Sequence, residues 1–283
     1  FIRLSEDGNG FVRGDGAPIR FWSVCGSAGK TMEEMQRNCR FLAKLGVNLV
    51  RFTARIAPTR EGMQIDDIRE EGLDHTFRYI KAARDNGIYV VLQPYWYHHK
   101  VPMSWKLEGY ESGDMPTGAL FFNDRFKAAY KTWVRQLYTR TNPYTGVALK
   151  DEPTVAVIQI KNEDSLLFFT SQRIPRPQQM ILCRKYADWL DNRYGSCEKA
   201  LQAWGGAAIA EGAGNAVAGI GDDPERGVMG MYIVWEMTQQ RSGAMHKRLS
   251  DQLEFTARLQ HDFYAEIRDY YRETLGCKQL TTA

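Results

Sequence analysis

Apolar residues in this chain follow two alternating rhythms. Short runs rich in Val and Ile occupy residues 19–24, 47–53 and 88–93, and a fourth opens at Val155 as Val-Ala-Val-Ile-Gln-Ile-Lys-Asn162-Glu163-Asp. Runs of this length read as strands covered on both faces. Between them, apolar residues recur at helical spacing over residues 30–45, 73–86 and 123–140, and later over 177–194, 198–204 and about 249–275. Gly46, Gly87 and Gly276 stand where a left-handed residue would end a helix, and Asn123 or Asp124 would cap the third one. Residues 7–19 alternate turn dipeptides with short apolar pieces and predict a small hairpin. Residues 143–153 form a turn-rich link, residues 205–230 are rich in Gly and Ala without a period, and residues 278–283 begin a fifth strand.

Strands that alternate with helices imply a parallel sheet with right-handed crossovers. No dinucleotide fingerprint follows a strand, which favours a barrel over an open nucleotide-binding sheet. The expected fold class is therefore α/β, a TIM (β/α)8-barrel represented by its N-terminal portion: about four βα units plus a fifth strand. The expectation is one barrel domain over residues 1–283, incomplete at its C-terminus, with the hairpin of residues 1–19 inside it.

Composition narrows the class without naming the chemistry. At 283 residues, 43% hydrophobic and 25% charged, the chain is globular rather than disordered or fibrous. Its formal charge of +3 comes from interleaved signs, so no basic stripe argues for nucleic acid. No apolar segment is long enough to span a bilayer, and no signal peptide is seen, although the chain opens on Phe1. Cys25, Cys39, Cys183, Cys197 and Cys277 have no CxxC and no metal-ligand spacing; they read as buried free thiols, with Cys25 and Cys277 in strands. The oligomeric state and the compartment are not legible.

Three stretches carry a family likeness: Gly16-Ala-Pro-Ile-Arg-Phe-Trp22, Leu45-Gly-Val-Asn-Leu-Val-Arg51, and Asn162-Glu163 at the end of the fourth strand. Asn142-Pro-Tyr-Thr-Gly146, Trp189-Leu-Asp-Asn-Arg-Tyr-Gly195 and Ala203-Trp-Gly205 add to it. Together they resemble glycoside hydrolase clan A, nearest to the family 5 cellulase-like glycosidases. The resemblance implies a retaining hydrolase of β-linked sugars, exported by analogy, with a carbohydrate as its partner. It also implies that Glu163 is the acid/base, that Asn162 binds the sugar 2-hydroxyl and that Arg51 contacts the nucleophile, which would lie on a seventh strand beyond this sequence.

The residue types suit those roles. A glycosidic oxygen leaves poorly until it is protonated, so a carboxylic acid must hold its proton near neutral pH, and an enclosed mouth would help it do so. That mechanism requires no metal or organic cofactor. The bland alternatives are a solvated Glu beside a helix start, a turn-forming Asn and a structural ion pair at Arg51. After the third strand, Tyr95, Trp96, His98 and His99 read as a subsite wall, and Trp105 as a sugar platform or a loop anchor. Adjacent His side chains in extended backbone point apart, which argues against a metal there. Glu236 lies within the excursion after the fourth strand and reads as an ordinary helical or loop carboxylate.

Two rival readings remain open. One is a catalytically silent glycan-binding barrel. The other is a barrel enzyme of different chemistry, for which Lys161 would be a candidate were it not expected, by alternation, to face the helices.

Overall fold

The computed structural model describes residues 1–26 and 28–283. The chain divides into two compact units: residues 1–96, 128–163 and 264–283 in the first, residues 97–127 and 164–263 in the second.

The first unit begins with β1 (Arg3–Leu4), β2 (Phe11–Val12) and β3 (Pro18–Ile19), a three-stranded antiparallel sheet that extends the predicted hairpin by one strand. The predicted first core strand then splits. Ile19 pairs in the small sheet, whereas the parallel strand is β4 (Ser23–Cys25). Asn48 explains the break: its side-chain oxygen accepts from the Trp22 N–H at 2.8 Å while its amide donates to the Arg20 carbonyl at 2.8 Å, holding residues 20–22 out of either ladder.

Helix α1 (Met32–Lys44) starts at a capping box in which Thr31 and Glu34 satisfy each other's backbone N–H groups. There follow β5 (Leu49–Thr53), α2 (Glu70–Asp85), β6 (Tyr89–Gln93), α3 (Asp124–Thr139) and β7 (Val155–Gln159). In the second unit lie α4 (Arg176–Tyr194), α5 (Cys197–Trp204) and the single turn α6 (Val234–Met237). Helix α7 (Gly243–Asp269) starts earlier than its apolar period predicted and continues into a π-helical turn, Tyr270–Thr274, before β8 (Leu280–Thr282).

Strands β4 to β8 form one sheet in the order β4-β5-β6-β7-β8, every neighbouring pair parallel. The α/β class and the parallel order are as expected. Among the described residues the sheet is open, with β4 and β8 as its edges. Its two faces differ. Val50, Phe52, Val90, Leu92 and Ile158 are buried, and Phe52 stacks on Tyr79 of α2 at 4.3 Å. Arg51, Val91, Val157 and Gln159, of opposite parity, are half-buried. Near the strand starts this second face is floored by Ile2, Ile19 and Phe21, packed with Leu49 and Tyr89.

Register shifts between Val90 and Val91: Val90 pairs with Val155 but Val91 pairs with Val157, so Ala156 is an extra residue in β7. Ala156 and Val157 consequently join the same cluster as Leu49 and Ile2. The strand itself ends at Gln159, so the alternation that sets Lys161 opposite Asn162 does not extend to either residue. Lys161 is buried.

The Gly- and Ala-rich stretch in the second unit is irregular but pinned. Arg248, fully buried, makes two 2.6 Å contacts to Asp222 and donates to the carbonyls of Ala207 and Gly230 at 2.8 Å. Its guanidinium lies over the rings of Trp204 and Tyr232. A buried charge is tolerable because a bidentate carboxylate and two carbonyls replace its water.

Candidate active site

The candidate site is built where β5, β6 and β7 end. Arg51 reaches from β5 across β6: its Nε donates to Gln159 Oε1 at 2.7 Å, and its Nη2 donates to Asn162 Oδ1. Asn162 is buried; its backbone N–H donates to the Tyr95 carbonyl at 3.1 Å, and it forms a parallel bridge with Trp96 beyond the end of the β6–β7 ladder. With Oδ1 taken by the guanidinium, the Asn162 amide is left to present its N–H groups as donors. The structure thus brings together Arg51 and Asn162, both expected in the site. Gln159, which nothing in the sequence singles out, supplies the second anchor for the guanidinium.

Glu163 follows directly. It is solvent-exposed, not enclosed as the sequence suggested, and its backbone lies in the left-handed region at φ 46°. That conformation costs a non-glycine residue about 1 kcal/mol or more, so something other than local preference places a Glu here. Buried Asn162 on one side and buried Asp164 on the other fix the turn. In the second unit Asp164 accepts from the Gly118 N–H at 2.9 and 3.0 Å.

The expected sugar-binding aromatics separate into two groups. Trp96 is 37% exposed and offers a ring face. Tyr95 is buried edge-on against Tyr130, whose hydroxyl donates to the Ile160 carbonyl at 2.8 Å and pairs with the Tyr271 hydroxyl at 3.0 Å. Burial pushes both the Tyr130 and Tyr271 hydroxyls well above their ordinary pKa, so they stay protonated as structural donors. In the second unit Trp105 is fully buried, 5.6 Å from His99 and 5.7 Å from Phe126. Neither Tyr95 nor Trp105 has a ring face to give to a ligand, because each is consumed by packing; Trp105 is the loop anchor rather than the platform. His98 is exposed beside Tyr97, and His99 is half-buried.

Other expectations are corrected by burial. Cys25 is in a strand but exposed, and Cys277 lies just before β8; all five cysteines are free, and the other four are buried. Glu236 sits in α6 and pairs with Arg241 at 2.5 Å. Among the described residues no helix is long and apolar enough to cross a membrane.

A second feature stands at the same strand ends. A cleft of about 610 Å³ opens beside Cys25 and Thr53, the last residues of β4 and β5, and includes Arg51. Its lining is strongly basic, a property hidden in the sequence because the cations come from separate segments.

No protein-family profile and no curated protein matches the chain. Among solved structures it is similar to a glycoside hydrolase family 5 mannosidase from Rhizomucor miehei, with 19% identity over 58% of this chain and 48% of that one, at a TM-score of 0.45. It is similar also to an endo-1,4-β-mannanase from Rhizomucor miehei (16% identity, 69% and 58% covered, TM-score 0.48) and to an endo-β-1,4-mannanase from Thermotoga petrophila (13%, 61% and 39%, TM-score 0.41). The chain spans about half the length of these structures. The likeness is partial, and the fold assignment rests on the parallel strand order itself.

Proposed function

We propose that this chain carries the acid/base half of a retaining glycoside hydrolase acting on a β-linked glycan. The observation that supports this best is the linkage of Arg51 on β5 to Asn162 after β7, beside an exposed Glu163 held in a left-handed conformation at the C-terminal end of a parallel sheet. The fold reading behind it is a partial (β/α) barrel, whose inner face is the half-buried face that carries Arg51 and Gln159.

In this reading the Asn162 amide donates to the sugar 2-hydroxyl, oriented by Arg51. Glu163 gives its proton to the glycosidic oxygen as the C–O bond breaks, then takes a proton from the water that releases the sugar. Trp96 stacks on a sugar face. The nucleophilic carboxylate is not assigned to any residue of this sequence.

The test uses the full natural protein on aryl β-glycosides of graded leaving group and on β-glucan, mannan and xylan. Glu163→Ala is expected to slow poor leaving groups by about 10²–10⁴-fold and activated aryl glycosides far less, since these need little protonation. Equal losses on both would remove Glu163 from the role.

A second reading, a glycan-binding fold without turnover, is favoured by the open sheet and the exposure of Glu163. It predicts saturable binding of an oligosaccharide with no hydrolysis of any substrate in the panel.

A further inference from the structure

We infer that the cleft at the ends of β4 and β5 binds an anionic sugar unit, so that the glycan acted on carries carboxylate or sulfate groups. The inference rests on the glycosidase reading and specifies its substrate class. The lining includes Lys30, Arg51, Arg55, Arg69 and Arg78, with Glu71 as the one carboxylate. Five cations thus stand against one carboxylate in this lining, in a chain whose formal charge is only +3.

The cations are not all neutralised within the protein. Arg69 pairs with Glu71 at 3.1 Å, and Glu71 is also claimed by Arg60 at 2.5 Å. Arg78 pairs with Asp74 at 2.8 Å. Arg51 is hydrogen-bonded to two neutral amides, which orient its charge without cancelling it. Arg55 is exposed and has no carboxylate partner among the described residues, while exposed Lys30 lies beside the Glu34 carboxylate, which accepts from its backbone N–H at 2.6 Å. The five cations of this lining thus outnumber the carboxylates that reach them, Glu71, Asp74 and Glu34, an arrangement that is relieved by an anion.

The cleft is also preorganised. The Arg69 N–H donates to the Ile56 carbonyl at 2.9 Å. Gly72 in α2 approaches the Arg55 carbonyl so closely that a Cβ on it would stand 2.0 Å away, so only glycine permits this packing. His75 is fixed by stacking on Phe52 at 5.8 Å and by a 2.9 Å contact between its Nε2 and the Gly29 carbonyl. Guanidinium groups on a backbone fixed in this way suit a carboxylate or sulfate, which they bind in paired hydrogen bonds. Because Arg51 belongs both to this lining and to the Asn162 contact, one extended glycan would reach both.

Cys25 provides a reporter, since it lines the cleft and the other four cysteines are buried. In the natural protein, calorimetry would compare a β-1,4-linked oligouronide with a neutral β-1,4-linked oligosaccharide of equal length, at low and high salt, while iodoacetamide labels Cys25. The expected result is about tenfold or tighter binding of the oligouronide, weakened by salt, with slower Cys25 labelling. Arg55→Gln and Lys30→Gln, both at exposed positions, are each expected to weaken oligouronide binding about tenfold. Equal binding of the neutral oligosaccharide would overturn the inference and leave the glycosidase reading standing. Protection of Cys25 by millimolar inorganic phosphate as effective as that by the oligouronide would overturn it in favour of a simple anion site. Binding of neither glycan would overturn both.

Discussion

The two faces of the parallel sheet have the same strands and opposite characters. On one, Val50, Phe52, Val90, Leu92 and Ile158 are buried, with Tyr79 of α2 stacked on Phe52. On the other, apolar Val91 and Val157 are only half-buried, and polar Arg51 and Gln159 stand among them. The first face is a finished core, in which every side chain is chosen for packing. The second is floored by the hairpin at the strand starts and becomes polar toward the strand ends, which is how a parallel sheet separates stability from chemistry. Sequence alone does not distinguish the two, because Val and Ile occupy both.

The comparison can be broken by measuring it. The largest effect is expected from Ile158→Ala, about 3–4 kcal/mol by urea denaturation, because its cavity would open in a packed layer. Val157→Ala, one residue away on the other face, should cost about 1 kcal/mol. Equal losses would show the two faces to be packed alike.

A smaller effect reads the helix-side layer through pH. Cys39 on α1 is buried, and burial raises its thiol pKa to about 11 from an ordinary 9.0, with a hydrogen bond to Tyr79 acting the other way. A raised folded pKa means that the unfolded chain ionises first. The stability this thiol contributes is therefore whole below pH 9.0 and is lost as pH rises toward about 11. The urea midpoint should fall across that window, and Cys39→Ala should lessen the fall. An unchanged slope in the variant would remove Cys39 from the cause.

The smallest effect belongs to the polar end. Glycine adopts φ 46° without strain, so Glu163→Gly should raise stability by about 0.5–1 kcal/mol while abolishing any acid catalysis. A loss of stability instead would show that the Glu163 side chain holds the turn.

Much of the helix-side architecture was legible in the sequence. The glycine stops, the capping residues and the runs of Val and Ile place α1, α2, α3, β5, β6 and β7 to within a few residues, because local chemistry sets those boundaries. The failures have a common cause in contacts distant along the chain. Asn48 divides the first strand by clamping residues 20–22, and Tyr95 and Trp105 turn inward because Tyr130, His99 and Phe126 await them. Asn162 and Glu163 were visible as a pair at a strand end. Gln159 was not, since an amide inside a Val-rich run advertises nothing until Arg51 is seen opposite it. The basic cleft was equally hidden, as Lys30, Arg55 and Arg69 come from separate segments.

The extra residue in β7 works as a shift of phase. Before Ala156 the strand keeps step with its neighbour; after it, inside and outside have exchanged places, and Gln159 meets Arg51 only because of that exchange. Deleting this one alanine would remove the bulge and leave Gln159 opposite Arg51, whereas straightening the strand with Ala156 kept would carry Gln159 round toward the helices and bring Ile158 to the guanidinium. Swapping β7 for an uninterrupted strand from another protein of this architecture would do the same, even if every side chain matched letter for letter.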